Sequence, residues 1–357
     1  MMQKLFSILR CSLWCKNYDG NLSADVLCNI LKLAKEQTVL GLVFDTLNDI
    51  EVNGLVDKMP IYDAIGKTEQ IKQQNRQTNH ELVAFADKCD NCGQNYIVVK
   101  GQTIASIYPN PALRQPGDID FLVPTIHNIN HNISKLFPGV VIPKRLSEKE
   151  FAFDFNNIRY ELHSRLIDFG CKNHQRIWEN LILEEWGKEY YVVIGGMKVR
   201  TLSPTANAIY LFLHLYFHLI REGVSLRQLC DWAIVLHHYK DEIDRNKLVD
   251  VLCQLDMTKG YKAFGSILVD ELGLPESDFP MKINEGDRQW KEKILYDIFK
   301  GGNFGKRNHK AKSALGFKIE TFRMAVNNSI RYYNLAPSEM RMMIPKMIKI
   351  NLKLLFG

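Results

Sequence analysis

The feature that most constrains this chain is the run Gly117-Asp118-Ile119-Asp120-Phe121-Leu122-Val123. Acids and apolar residues alternate at its start, the period-two pattern of a strand with two unlike faces. Asp118 and Asp120 then share one face, and Ile119 and Phe121 the other. A fold that holds this strand must bury the apolar face and relieve the acidic one, because the carboxylates sit only roughly 6–7 Å apart at strand rise. A divalent cation meets that need and suggests a hard-metal site of the kind that works on phosphates. Asp-x-Asp alone is common, and standing by itself it favours the plainer reading of two solvated acids at a strand end. The flanking segments decide between the two.

Upstream, Tyr96-Ile97-Val98-Val99 is a short β-rich run that Lys100-Gly101 interrupts, and a helix-compatible segment from Gln102-Thr103 follows. A strand, a glycine turn and a helix start make a cradle for phosphate, since free N–H groups and the positive end of the helix dipole face the anion. Lys100 adds a charge. The plain alternative is an ordinary strand-to-helix turn. Pro109, Pro111 and Pro116 mark a loop back to the acidic strand, with Arg114 just ahead of it, where a phosphate contact and a structural role weigh equally. Downstream, Phe151 to Phe155 alternates, Asn156-Asn157 reads as a turn, and Ile158 to His163 alternates again, which predicts a β-hairpin. Arg159, Glu161 and His163 take one face, so Glu161 is placed to join Asp118 and Asp120. Asp154 is expected to pair with Arg159 across the hairpin.

Taken together, Lys100-Gly101, Tyr108-Pro109, Arg114, Gly117-Asp118-Ile119-Asp120 and Glu161-Leu162-His163 resemble the bacterial family described as uncharacterised nucleotidyltransferases, within the polymerase-β-like nucleotidyltransferase superfamily. The likeness spans roughly residues 20–240, is sharpest over 97–123, and extends to Leu226–Ala233. Gln102 stands where the superfamily has Ser or Gly. The resemblance implies an α+β fold: a small mixed β-sheet core flanked by N-terminal and C-terminal helical regions. It implies that Asp118, Asp120 and Glu161 hold two Mg²⁺ ions, with Mn²⁺ as the alternative, and that Lys100, Gly101, Gln102, Thr103 and Arg114 contact the NTP. Glu161 is either a metal ligand or the base that takes the acceptor's proton, and His163 supports the ligands from behind. The implied reaction moves a nucleoside monophosphate from an NTP to an unknown acceptor, a small molecule, protein or RNA, with release of pyrophosphate. Two alternatives stand beside it: a non-catalytic nucleotide- or RNA-binding module, and a toxin–antitoxin type nucleotidyltransferase that modifies protein or tRNA.

Three regions follow along the 357 residues. Residues 1–90 read as helical, with apolar spacing over Ala24–Ala34 behind a Ser23 cap. Residues 91–200 carry the site and end in a hairpin turned by Gly195-Gly196. Residues 201–357 read as helical again, opening at Ser203-Pro204. No apolar stretch approaches the ~20 residues a bilayer demands. The segment Met1–Cys15 reads as an amphipathic helix rather than a signal peptide, so a cytoplasmic location is expected. The eight cysteines are scattered, and Cys89-x-x-Cys92 has no second pair to complete a zinc site. His214 and His218 stand at i, i+4 without the glutamate of a metalloprotease helix and read as core histidines. Arg227 and Asp231 have the spacing of an intrahelical pair. Beyond residue 300, eleven Lys and Arg face two Glu, a local excess of nine against a whole-chain net of +6. That basic tail suits an anionic partner, RNA or a membrane surface, or is the solvated face of terminal helices whose apolar side (Met343, Met347, Ile350, Leu354) packs on the body.

Overall fold

A computed structural model describes residues 1–47, 59–124, 133, 135–141, 150–302 and 314–356, except the side chains of 314, 315, 317, 318 and 349–356. In chain order the helices before the sheet are α1 (Met2–Leu13), α2 (Ala24–Glu36), α3 (Leu40–Thr46) and α4 (Met59–Cys92). Strand β1 (Ile97–Val99), the short helix α5 (Gly101–Ala105), β2 (Ile119–Leu122), β3 (Glu150–Phe155) and β4 (Ile158–His163) form the core of the site. After them come α6 (Lys172–Trp186), the hairpin β5 (Tyr191–Ile194) and β6 (Met197–Arg200), then α7 (Pro204–Arg221) and α8 (Leu226–His238). The remaining helices are α9 (Arg245–Gln254), α10 (Thr258–Asp270), α11 (Glu285–Arg288), α12 (Lys291–Gly301), α13 (Ala314–Arg331) and α14 (Pro337–Phe356).

The alternating stretches become strands as expected. The sheet order is β1-β2-β4-β3. The outer pairs are antiparallel and the central pair β2–β4 is parallel, so the fold is α+β with a small mixed sheet. Asn156 and Asn157 adopt φ of 50° and 63°, the left-handed pair that closes a two-residue hairpin of matching twist. Arg159 Nη1 lies 3.0 Å from Asp154 Oδ2 across that hairpin.

The sheet separates two cores. On one face Ile119, Phe121, Tyr160 and Leu162 meet Leu82, Phe85 and Ala86 of α4. Phe85 stacks with Phe137 at 5.7 Å and meets Phe121 at 4.5 Å between ring centres. On the other face Ile97, Val99 and Leu122 join a helical core that runs from Leu5 in α1 to Met343 in α14. Residues of the first and third regions therefore share one interior. The charged ends of β2 and β4 lie on this second face, where the helices leave a cleft.

Two polar clusters fix the walls of that cleft. Arg114 donates through Nε and Nη2 to both oxygens of Asp231, at 2.7 and 2.8 Å, and Tyr108 Oη donates to Asp231 Oδ1 at 2.8 Å. The expected Arg227–Asp231 pair is not the one formed. Arg227 Nη1 instead donates to the carbonyls of Gln115 and Pro116, because the loop before β2 delivers a planar guanidinium to Asp231 and leaves Arg227 facing that loop's backbone. Two residues beyond Asp168, which lines the cleft, Gly170 and then Cys171 donate through their backbone N–H groups to buried Glu339, which lies 3.0 Å from His174 Nδ1. Lys346 reaches the Phe169 carbonyl and Asp168. α14 is thereby pinned to the segment that leads into α6. Met343 is buried and Met347 partly so. Lys306, Arg307, Lys310 and Lys312 lie outside the described residues, as do the side chains of Lys318, Lys349, Ile350, Lys353 and Leu354. Of the other tail residues, Arg331 bridges Asp297 at 2.9 Å.

Removing one member of a buried ion pair leaves the other charge stranded, which costs about 3–5 kcal/mol. Asp231→Ala is expected to destabilise the fold by that order, read as a shift in the urea midpoint at constant slope, whereas Asp154→Ala in the exposed pair shifts it by less than about 1 kcal/mol.

Candidate functional site

Parallel pairing of β2 with β4 sets Asp120 directly beside Glu161 and Leu122 beside His163. Side chains in register on neighbouring strands are about 5 Å apart. Asp120, Glu161 and His163 therefore converge, with one ligand atom from each inside a sphere where all lie within 4.8 Å of one another. Asp118 stands just before β2, exposed at the cleft mouth rather than within this group. Among the described residues no other set of three His, Cys, Asp or Glu side chains comes together in this way. His163, expected behind the acids, has a ring nitrogen close to both of them.

Asp120 is 7 % exposed and its charge is balanced from two sides. Lys100 Nζ lies 3.1 Å from Oδ1, and His163 Nε2 lies 3.0 Å from the same oxygen. Burial acts to raise the Asp120 pKa, but the Lys100 charge and the His163 hydrogen bond outweigh it and hold the carboxyl down at about 2. His163 rises to about 9: burial pulls it down, and hydrogen bonds to Asp120 and Glu161 push it further up. Asp118 moves the other way, to about 6, through desolvation first and then the charges of Glu161 and Asp120. Repulsion from the two neighbouring acids is the smaller part of that rise, and Lys100 and Arg227 oppose it.

Lys100 is held in an unusual way. Its φ of 57° and ψ of −149° fall in a region almost confined to glycine, at a cost on the order of 1–3 kcal/mol. Thr103 donates to the Lys100 carbonyl through N at 3.1 Å and Oγ1 at 2.7 Å. The ammonium meets Asp120, the face of Tyr210 at 5.8 Å and His214 Nε2 at 3.0 Å. An ammonium has only donors, so His214 accepts through Nε2. Burial, together with the charges of Lys100, His218 and His163, drives the His214 pKa well below its ordinary value. His214 is thus a neutral partner of Lys100, a hydrogen-bonded core histidine.

The expected phosphate turn divides. Lys100 and Gly101 line the cleft. Gln102 and Thr103 are buried, and Gln102 Nε2 donates to Asn75 and Asn79 of α4. Asn75 Nδ2 in turn donates to the carbonyls of Ala112 and Arg114. Gln102 therefore joins the turn, α4 and the Arg114 loop. Arg114 lines the cleft with Lys100 and Gly101, but it is only 3 % exposed and pairs with Asp231. The cleft measures about 580 Å³, and His163, Arg165, Tyr210, Arg221 and Arg227 also line it. That size lies within the range of small-ligand sites. Sequence reasoning passed over Tyr210, Arg221 and Arg165, since nothing in their local pattern separates them from ordinary helix or loop residues.

Fold and cleft together describe an α+β protein that presents a carboxylate pair and a histidine to a charged, ligand-sized opening. Residues 28–268 match the model of the family described as uncharacterised nucleotidyltransferase, and the chain belongs to that family. A solved structure, that of an antigenic nucleotidyltransferase-like protein from Paracoccidioides brasiliensis, is similar over 58 % of this chain and 94 % of that one, at 13 % identity and a TM-score of 0.32. No curated protein matches the chain. Among the described residues no helix is long and apolar enough to cross a membrane.

In metal-free protein the His163–Asp120 pair links stability to pH. His163 is raised in the fold, so its contribution is complete below about 6.5 and is lost as pH climbs through about 9. Asp120 is depressed, so its contribution is complete above the ordinary 3.8 and is lost as pH falls through about 2. In the presence of EDTA, His163→Gln is expected to melt several degrees below wild type at pH 6, with the gap closing by pH 9.5.

Proposed function

We propose that this protein transfers a nucleoside monophosphate from an NTP to an acceptor hydroxyl and releases pyrophosphate. The observation that carries this reading is the in-register placement of Asp120 and Glu161 on parallel strands, beside Asp118, in a member of a nucleotidyltransferase family. Asp118, Asp120 and Glu161 offer hard oxygen donors that fit Mg²⁺, with Mn²⁺ as the alternative, and the imidazole of His163 suits the softer of the two. When bound, such ions neutralise the phosphates and acidify an acceptor hydroxyl.

The chain's own residues supply the rest. In the transfer, the acceptor oxygen forms a bond to the α-phosphorus, the bond from that phosphorus to its bridging oxygen breaks, and pyrophosphate carries away the electron pair. Glu161, half-buried at the cleft, takes the acceptor's proton or stands as a ligand. Lys100 holds a full positive charge beside the acids, raised by Asp120 against burial, and gives it to a phosphate oxygen. Gly101 takes a φ of 50°, which side chains rarely adopt, and lines the turn that faces the triphosphate. Gln102 and Thr103 shape that turn from within, and Arg114 braces the wall through Asp231.

Calorimetric titration with NTP and Mg²⁺, run beside a pyrophosphate-release assay, tests the reading. Asp118→Ala combined with Asp120→Ala is expected to abolish NTP–Mg²⁺ binding and to lower turnover at least about 10³-fold, the several kcal/mol a metal centre contributes. EDTA is expected to do the same to wild type, reversibly on adding Mg²⁺. Equal binding by wild type and the double variant overturns the assignment.

A further inference from the structure

The Lys and Arg side chains that line the cleft divide by what answers their charge. Lys100 pairs with Asp120, Arg114 with Asp231, and Arg165 with Asp168 and Glu179. Arg221 and Arg227 form no ion pair among the described residues, and both line the same cleft. Arg221 still has three carboxylates around it, Asp168, Glu222 and Glu339. Arg227 is worse placed. Its near acid, Asp231, is held at both oxygens by Arg114, whose own charge repels it. Burial first, and then Arg114, press the Arg227 pKa down from its ordinary value. A half-buried guanidinium in that position gains from an added anion.

The fork of Arg227 is partly used. Nη1 donates to the carbonyls of Gln115 and Pro116 at 3.0 and 3.3 Å, and Nε is sealed from the surface without a partner. Nη2 donates to no described residue. It lies beside Gly117, which is exposed: a Cβ added there would stand 3.6 Å from Nη1 and 3.9 Å from Nη2. Gly117 has no left-handed φ, so its missing side chain matters for space, and it leaves the guanidinium uncovered. On the other side, a Cβ added at Gly101 would stand 3.4 Å from the Asp118 carbonyl. The Lys100-Gly101 turn, Asp118, Gly117 and Arg227 thus form one continuous rim, with a cation at each end.

We propose that Arg227 binds a phosphate group, Nη2–H donating to a phosphate oxygen above Gly117, and that this group is the far end of an NTP tail that also meets Lys100. A phosphate carried by the acceptor shares that chemistry. The assignment deepens the proposed nucleotidyl transfer and rests on it for the identity of the tail.

The test uses the full chain and titration calorimetry. The first probe is inorganic triphosphate with Mg²⁺. The second is inorganic phosphate, added to protein saturated with Mg²⁺ and an NTP analogue that cannot be cleaved. Arg227→Met is expected to weaken triphosphate at least about tenfold and to flatten its salt dependence, and Arg227→Lys to recover part of the loss. Arg227→Met also frees the carbonyls of Gln115 and Pro116, so Gly117→Val is the second variant. It keeps those bonds, covers the guanidinium, and is expected to weaken triphosphate by a similar factor with wild-type melting. If both variants keep triphosphate and weaken the added phosphate, Arg227 serves a phosphate on the acceptor. Equal binding of both probes by wild type and both variants, a wild type that binds neither probe, or a loss confined to Arg227→Met overturns the proposal. Triphosphate binding that depends on Arg227, in a protein that releases pyrophosphate from no NTP, keeps the phosphate contact and overturns the transfer reading instead.

Discussion

Everything at the site depends on the parallel pairing of β2 with β4. It sets two carboxylates, Asp120 and Glu161, side by side on one sheet face, an arrangement that like charges oppose. The surrounding chain is organised around that repulsion. Lys100 is driven into a glycine-like backbone conformation that brings its ammonium to Asp120, and His163 is charged by the same carboxylate. Behind Lys100 a neutral imidazole, His214, accepts its remaining hydrogen bond. Strain in the turn and a buried charge are thus tolerated together because each places the other.

The negative charge is incompletely cancelled. Lys100 sits on Asp120, His163 reaches both Asp120 and Glu161, and Asp118 is raised by desolvation first and then by the charges of Glu161 and Asp120. These surroundings separate the two aspartates that a strand pattern treats as equals: one is buried and firmly ionised, the other exposed and readily protonated.

Period-two alternation made β2, β3 and β4 legible in the sequence, along with the Asn156-Asn157 turn and the face that Glu161 and His163 share. The same reasoning found Lys100 and the helix start at Ser203-Pro204. What it did not yield was register and long-range partnership. His163 joins the acids because β4 is aligned so that Leu122 faces it, and no local pattern encodes that alignment. Asp231 has a spacing that suits Arg227, yet Arg114, 117 positions away, takes it. Gln102 looked like an irregular phosphate-turn residue, and its role emerges only once α4 brings Asn75 and Asn79 alongside.

Glu339 gives the molecule a temporal property. It clamps Gly170 across 169 residues of chain, and Lys346 adds a second tie to Asp168 at the cleft rim. Translation proceeds from the N-terminus at about 5–20 residues per second, so the rim waits on the order of ten seconds for its clasp to be made. The acids and the lysine turn are synthesised well before that clasp is made. Until α14 is made, the backbone N–H groups of Gly170 and Cys171 lack the carboxylate that accepts from them in the finished fold.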